Sequence, residues 1–364
     1  MTLLTTLIAG TNDALALYVM TRDIQSPVER IFLDADLALS TFGSNDSYTN
    51  GNPAYANQRA GSNDSDKDNY IEGRGVDNLA RVKFRYLLPI GNGENNVITT
   101  QIIDRGQLVE WAVGGDSWNL LESGRTYLEM RPFWRQQTID SDYANVDRKT
   151  NGVDFAIYWE NTDFPKNPSK GNTIRTRYTK DWGWFDSSNP YDVADVEFSK
   201  YFPLGSSDNF AQRVIALDFW TVNTLSWNDS DIEGGQVVFH RPPPYAGATL
   251  GGLWRLRGYP TSRFNDRAAI YYAAEFRMTP EWNPFAKIEW VRKYLEIAWW
   301  QVVPFVEVGR VAPSWEIDTL HSSIKWDVGI GIRAMAKGLV VRIDTAVSKD
   351  DYGVQMMVGH PFQF

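Results

Sequence analysis

The sequence predicts an all-β chain: a single domain over residues 1–364, built as a transmembrane antiparallel β-barrel of about sixteen strands. Three observations predict it. Apolar and polar residues alternate with a period of two along much of the chain. The connections between alternating stretches sort by parity into long and short sets. Finally, Leu250-Gly251-Gly252-Leu253-Trp254-Arg255-Leu256-Arg257-Gly258, running on into Tyr259-Pro260, places an arginine and a glycine at the tip of a long segment between two amphipathic strands.

Alternation is plainest in four places. Ala80, Val82, Phe84 and Tyr86 alternate with Arg81, Lys83 and Arg85. Ile174, Thr176 and Tyr178 alternate with Thr173, Arg175 and Arg177. Tyr272, Ala274, Phe276 and Met278 alternate with Tyr271, Ala273, Glu275 and Arg277. Val341, Ile343 and Thr345 alternate with Arg342 and Asp344. Each is a strand with one apolar and one polar face. In a soluble sandwich the polar face meets bulk water; in a membrane barrel it lines the lumen. A lysine or arginine on the lipid face costs roughly 2–4 kcal/mol near the midplane. The sorting of charge to one face fits the barrel, though alternation alone leaves a large soluble β protein open.

In chain order, strands are expected near 2–9, 13–22, 28–41, 77–90, 95–103, 107–114, 124–138, 151–160, 172–184, 192–203, 211–223, 269–279, 297–310, 326–335, 338–347 and 353–364. Connections after odd strands include 42–76, 139–150, 185–191, 224–268 and 311–325; those after even strands include 23–27, 91–94, 204–210 and 336–337. Long polar loops on one side and short turns on the other is the asymmetry of bacterial outer-membrane barrels. Segments 161–171 and 280–296 are longer exceptions, the second with room for a short helix. An even count lets the first and last strands meet antiparallel and removes the exposed edge. Loop 42–76, rich in Asn, Asp, Ser and Gly, reads as solvated and mobile.

Composition bounds the function. A formal charge of −9 argues against a nucleic-acid partner. There is no cysteine, which excludes disulfides and thiolate metal sites. No stretch of about 18 apolar residues exists for a membrane-spanning helix. The apolar start, Met1–Ala9, has no basic residue before Arg22, so a secreted form is expected to need an upstream leader. The 15 Trp and 17 Tyr suit lipid-interface girdles.

Strand phase supplies partners for Arg257. Glu275 shares a face with Arg277, away from Phe276. Phe305, Glu307 and Gly309 share a face, away from Val306 and Val308. Both carboxylates are expected to point into the lumen. Gly309 removes a side chain where a loop must approach the wall, and Gly258 is expected to adopt a backbone conformation closed to other residues. A charge-assisted bond from Arg257 contributes about 1.5–3 kcal/mol, and loss of one partner costs roughly 3–5 kcal/mol. Ordinary lumen salt bridges that brace the wall are the plainer reading of the same residues.

Four features carry a resemblance to the BamA/TamA-type outer-membrane barrel superfamily, also called the bacterial surface antigen family. Leu256-Arg257-Gly258-Tyr259 resembles its (V/I/L)-R-G-(F/Y) signature in the sixth extracellular loop. Phe305-Val306-Glu307-Val308-Gly309 resembles its F-x-D-x-G strand, with Glu in place of Asp. Glu275-Phe276-Arg277-Met278-Thr279-Pro280 resembles the strand between, with a lumen glutamate. Gly359, Phe362 and Phe364 resemble the terminal β-signal, with Met357 at its usually polar position.

The resemblance implies a long sixth loop folded into the lumen and locked there by Arg257, Gly258 and Tyr259 against Glu275, Glu307 and Gly309. It implies the bacterial outer membrane as location, with the lipid bilayer, lipopolysaccharide and client outer-membrane proteins as partners. It implies a role in insertion or translocation of envelope proteins through a seam between the first strand, near Leu3–Ala9, and the last, near Gly353–Phe364. The seam strands fit: the first is short, and the last contains Pro361, which lacks a donor. The POTRA domains that usually precede such barrels are not expected in this chain. The competing expectation is a passive pore or structural anchor; a soluble β-rich enzyme is the third.

No enzymatic site, cofactor or metal is expected. The chain has no G-x-S-x-G elbow, phosphate loop or cysteine nucleophile. His240, His321 and His360 have no ligand spacing. Asp64, Asp66 and Asp68 alternate, as do Asp229, Asp231 and Glu233, but the first set has Asn69 and Gly75 where a calcium loop needs Gly and Glu.

Overall fold

The computed structural model describes residues 2–9, 14–48, 52–227, 231–233, 236–238 and 241–358. Among them, fourteen strands form one antiparallel sheet in chain order. They are β1 (Thr2–Ala9), β2 (Leu15–Gln25), β3 (Ile31–Ser47), β4 (Ile71–Leu87), β5 (Arg125–Asp140), β6 (Asn145–Thr162), β7 (Gly171–Asp181), β8 (Tyr191–Pro203), β9 (Phe210–Thr224), β10 (Ala268–Pro280), β11 (Ile297–Ala312), β12 (Lys325–Ala336), β13 (Leu339–Ser348) and β14 (Tyr352–Val358). Within the described residues, β1 and β14 are the two ends of the sheet and do not pair.

The period-two pattern decides which face is which. On β12, Trp326, Val328, Ile330 and Ile332 are exposed while Asp327 and Arg333 are buried. On β4, Val82, Phe84 and Tyr86 are exposed, whereas Arg85 pairs with Asp34 at 3.0 Å on the other face. The apolar face is therefore outside and the charged face inside. The sheet curls around that charged face. The Asn63 side chain donates to Ser323 O at 3.1 Å, and Gln301 Nε2 donates to Asn167 Oδ1 at 3.0 Å, each joining elements several strands apart.

The strands expected at 95–103 and 107–114 do not join the sheet. Leu87 on β4 lies opposite Tyr127 on β5, so these two strands pair directly and leave no gap between them. The intervening segment instead carries a short hairpin, Ile102–Asp104 with Gln107–Glu110. Strands of three or four residues fall far short of the roughly 9–11 needed to cross a bilayer. Their removal as a pair leaves the parity of every other connection unchanged. It also makes 88–124 a long connection on the turn end.

Loop 42–76 is more ordered than its composition suggests. β3 and β4 continue their pairing to Ser47 and Ile71. Asn63, Ser65 and Asn69 are buried. The reason lies in the packing partner: Asn265 N donates to Gly61 O at 2.7 Å, and Arg263 donates to Ser65.

The largest apolar core lies between the segment connecting β9 to β10 and the inner wall. Leu250, Leu256, Tyr259 and Phe264 pack against Tyr191, Tyr201, Trp220, Tyr271 and Val311. At the turn end, Leu108 of the short hairpin packs with Phe164, Trp299, Met335 and Val340, and Trp299 Nε1 donates to Gly106 O at 2.9 Å.

Candidate functional site

The segment between β9 and β10 makes a short ladder, Ala248–Leu250 with Phe264–Asp266. Its tip turns back through residues with positive φ: Gly251 at 105°, Gly252 at 103° and Leu256 at 55°. Leucine rarely adopts this left-handed region. Here it is held by full burial of Leu256 in the interior core.

Arg257 is fully buried. Its backbone N–H donates to Glu307 Oε2 at 2.6 Å, and Nε donates to Glu307 Oε1 at 3.0 Å. Nη1 donates to Asp344 Oδ2 at 2.7 Å, and Nη2 to Glu275 Oε1 at 3.1 Å. Its guanidinium sits 3.5 Å from the Phe305 ring centroid. Both expected carboxylates, Glu275 and Glu307, are thus partners of this one arginine.

Further arginines share these carboxylates. Glu275 also accepts from Arg277 Nε at 2.9 Å and from Arg333 Nη2 at 2.6 Å. Arg342 pairs with Asp344 at 3.0 Å. The Tyr271 hydroxyl donates to Glu307. Arg257, Arg277, Arg333 and Arg342 thus share three carboxylates, Glu275, Glu307 and Asp344, with Glu275 taking three of the arginines. Removing water from isolated charges is costly, and mutual pairing with hydrogen bonds on most arms is what offsets it.

Gly258 serves a purpose other than the one expected. Its φ lies outside the left-handed region, whereas a Cβ there would meet Asp327 Cβ at 2.8 Å and the Val347 backbone at 3.1 Å. Close approach, rather than backbone freedom, demands glycine. Gly258 N donates to Asp327 Oδ2 at 2.8 Å. At Gly309 a Cβ would meet Ile270 O at 2.9 Å and the loop residue Leu250 at 3.0 Å. Tyr259 is buried, packs edge-on to Phe264 at 5.1 Å, and donates its hydroxyl to Trp326 O at 3.2 Å.

Several partners were not anticipated. The sequence places Asp344 on a polar face, and its approach to Arg257 depends on the curl that brings β13 beside β10 and β11. Arg255 Nη2 donates to Glu197 Oε1 at 2.8 Å, with its guanidinium 3.9 Å from the Trp220 ring centroid. Gln355 on β14 donates to Arg257 O at 2.9 Å. The tip is thereby tied to β10, β11, β12, β13 and the terminal strand β14.

Other expected residues sit apart from this cluster. His321 accepts or donates at 2.9 Å with the Tyr272 hydroxyl. Asp64 lies 3.9 Å from Lys325 Nζ. Gly359, Phe362 and Phe364 lie outside the described residues, as do Pro361, His240, His360 and Asp229.

Comparison with known proteins adds the following. The model of the Omp85 superfamily domain matches residues 42–362. Among solved structures, BamA from Haemophilus ducreyi lacking POTRA domains 1–3 is similar, with a TM-score of 0.47 and 12% identity. The match covers 95% of this chain and 62% of that one, so this chain spans less than two thirds of its length. No curated protein matches.

Proposed function

The chain belongs to the Omp85 superfamily and is a bacterial outer-membrane β-barrel protein; from that premise we propose that it assists the insertion or translocation of other envelope proteins. The route is a seam between β1 and β14, closing a barrel of fourteen strands. The observation that carries this reading is the state of those two strands. They are the sheet's ends and, among the described residues, are unpaired with each other. An unpaired edge is a template for strand addition. A client strand would add to it, and the lipid face of the growing sheet would pass directly into the bilayer. Clients and lipopolysaccharide are the proposed partners, and the protein acts by offering an edge rather than by catalysis.

The loop folded into the lumen would hold the C-terminal strands in one arrangement while the seam exchanges partners. Supporting this, Arg257 and its neighbours bond to β10 through β14 and to neither β1 nor β2 among the described contacts.

A passive pore is the competing reading. It is opposed by what packs inside: the β9–β10 segment against one part of the inner wall and the 102–110 hairpin against another.

The test is a reversible tether. Cysteines at Thr5 and Val354, in a chain with no native cysteine, are joined by a cleavable bis-maleimide in proteoliposomes. An unfolded small outer-membrane barrel is then diluted from urea beside them. The proposal expects tethering to slow its assembly to the rate in empty liposomes, with cleavage restoring it. Equal rates with and without the tether would refute the seam.

A further inference from the structure

The connection between β4 and β5 has two limbs in different surroundings. The inner limb is the 102–110 hairpin, packed inside against Trp299, Met335 and Val340. The outer limb leaves the interior past the β6–β7 turn, where Val113 N donates to Asp163 O at 2.9 Å and Gly114 N donates to Thr162 O at 2.7 Å. It then runs over the outer face of the sheet. The Trp118 ring lies 6.5 Å from Trp159 and 6.1 Å from Phe198. Those two residues belong to the outward rows of their strands, in phase with Phe155 and Ile157 on β6 and with Phe202 on β8. Trp159 is covered by this limb, and its indole donates to Ser123 O at 2.9 Å.

What the limb covers on one side it replaces on the other. Trp118 is 57% exposed, Leu120 44% and Leu121 63%. Through Trp159 and Phe198, Trp118 joins this apolar patch to the outward rows of β6 and β8. Cations border it: Lys200 Nζ lies 4.5 Å from the Trp118 ring centroid, and Lys170 pairs with Asp116. Indoles beside lysines at the margin of an apolar band match the boundary between acyl chains and phosphate headgroups. There the ring bodies enter the apolar layer while the ammonium groups reach the phosphates.

We propose that residues 118–121 form a membrane-surface anchor, seated in the headgroup layer of the leaflet on the turn end. The occupant of this face is the phospholipid surface. Continuity with the lipid-facing rows favours it over a soluble protein partner, which would need its apolar patch to stand clear of the bilayer. The same connection then joins the leaflet at one limb to the plug of the lumen at the other.

The absence of native cysteine makes the test clean. Leu121→Cys is labelled with a polarity-sensitive NBD probe and reconstituted in phosphatidylethanolamine–phosphatidylglycerol vesicles. The vesicles carry a nitroxide either on the headgroup, high on the acyl chain, or deep on it. Asp208→Cys, in the exposed β8–β9 turn, is the aqueous reference, and Ile330→Cys on β12 is the deep one. Heat-modifiable migration verifies that each variant is folded. The expected result is blue-shifted emission at Leu121, quenched most by the shallow chain nitroxide and less by the deep one. Water-like, unquenched emission matching Asp208 would overturn the proposal. So would a blue shift without quenching by any nitroxide, which would mean that protein rather than lipid covers the face.

Discussion

Arg255 and Arg257, two residues apart, bond to different strands of the inner wall. Arg255 bonds to Glu197 at 2.8 Å on β8, and Arg257 bonds to Asp344 at 2.7 Å on β13. Leu256 between them is buried with φ of 55°, and that turn splays the two side chains apart. The tip therefore ties β8 to β10, β11 and β13.

Arg257→Ala would leave Glu307 and Asp344 short of a buried partner. The expected loss is about 3–5 kcal/mol, read as a lower urea midpoint of the heat-modifiable band. Arg257→Lys keeps the charge but not the fork that reaches three carboxylates. It is expected to recover less than half of the loss.

Arg255→Ala is expected to destabilise through Glu197 and the uncovered Trp220 face. The Tyr271 ring lies 6.0 Å from Arg255 and its hydroxyl bonds Glu307 beside Arg257, so the double variant is expected to depart from additivity by about 0.5–1 kcal/mol. A larger coupling, measured by a double-mutant cycle, would mean that the tip moves as one unit.

Gly258→Ala places a methyl 2.8 Å from Asp327 Cβ and 3.1 Å from the Val347 backbone. Overpacking of this kind costs about 1–3 kcal/mol. Limited proteolysis is expected to cut the 225–267 segment faster than in the parent chain, while the barrel stays folded.

Trp299→Ala removes the indole that donates to Gly106 O and packs on Leu108. Such truncations cost about 3–5 kcal/mol. Bilayer recordings are expected to show larger and more frequent openings once the 102–110 hairpin loses this contact.

Some of this site was legible before any coordinates. Glu275 and Glu307 were readable because strand phase needs only the neighbours on either side. Asp344 was placed on the polar face by the same logic, but its partner was not, because partnership depends on sheet curl across several strands. Arg255 carried no local signal, since nothing in Trp254-Arg255-Leu256 announces a left-handed leucine. The strands expected at 95–103 and 107–114 failed for a different reason: the pairing of β4 with β5 is a long-range fact, and it excluded them. The outer ends of β3 and β4 were missed because both faces there are polar, so the period vanishes while the pairing continues from Phe42 to Ser47.

The central claim is that β1 and β14 receive a client strand, and site-specific photo-crosslinking tests it most directly. A photo-activatable residue is placed at Thr5 on β1, at Val354 on β14, or at Ile330 on β12, two strands in from the β14 edge. Each variant is irradiated in liposomes while an unfolded outer-membrane barrel assembles beside it. The account predicts adducts with the client at Thr5 and Val354 during assembly, fading as the client folds, and none at Ile330. Equal adducts at all three positions, or none at the two edge strands, would contradict it.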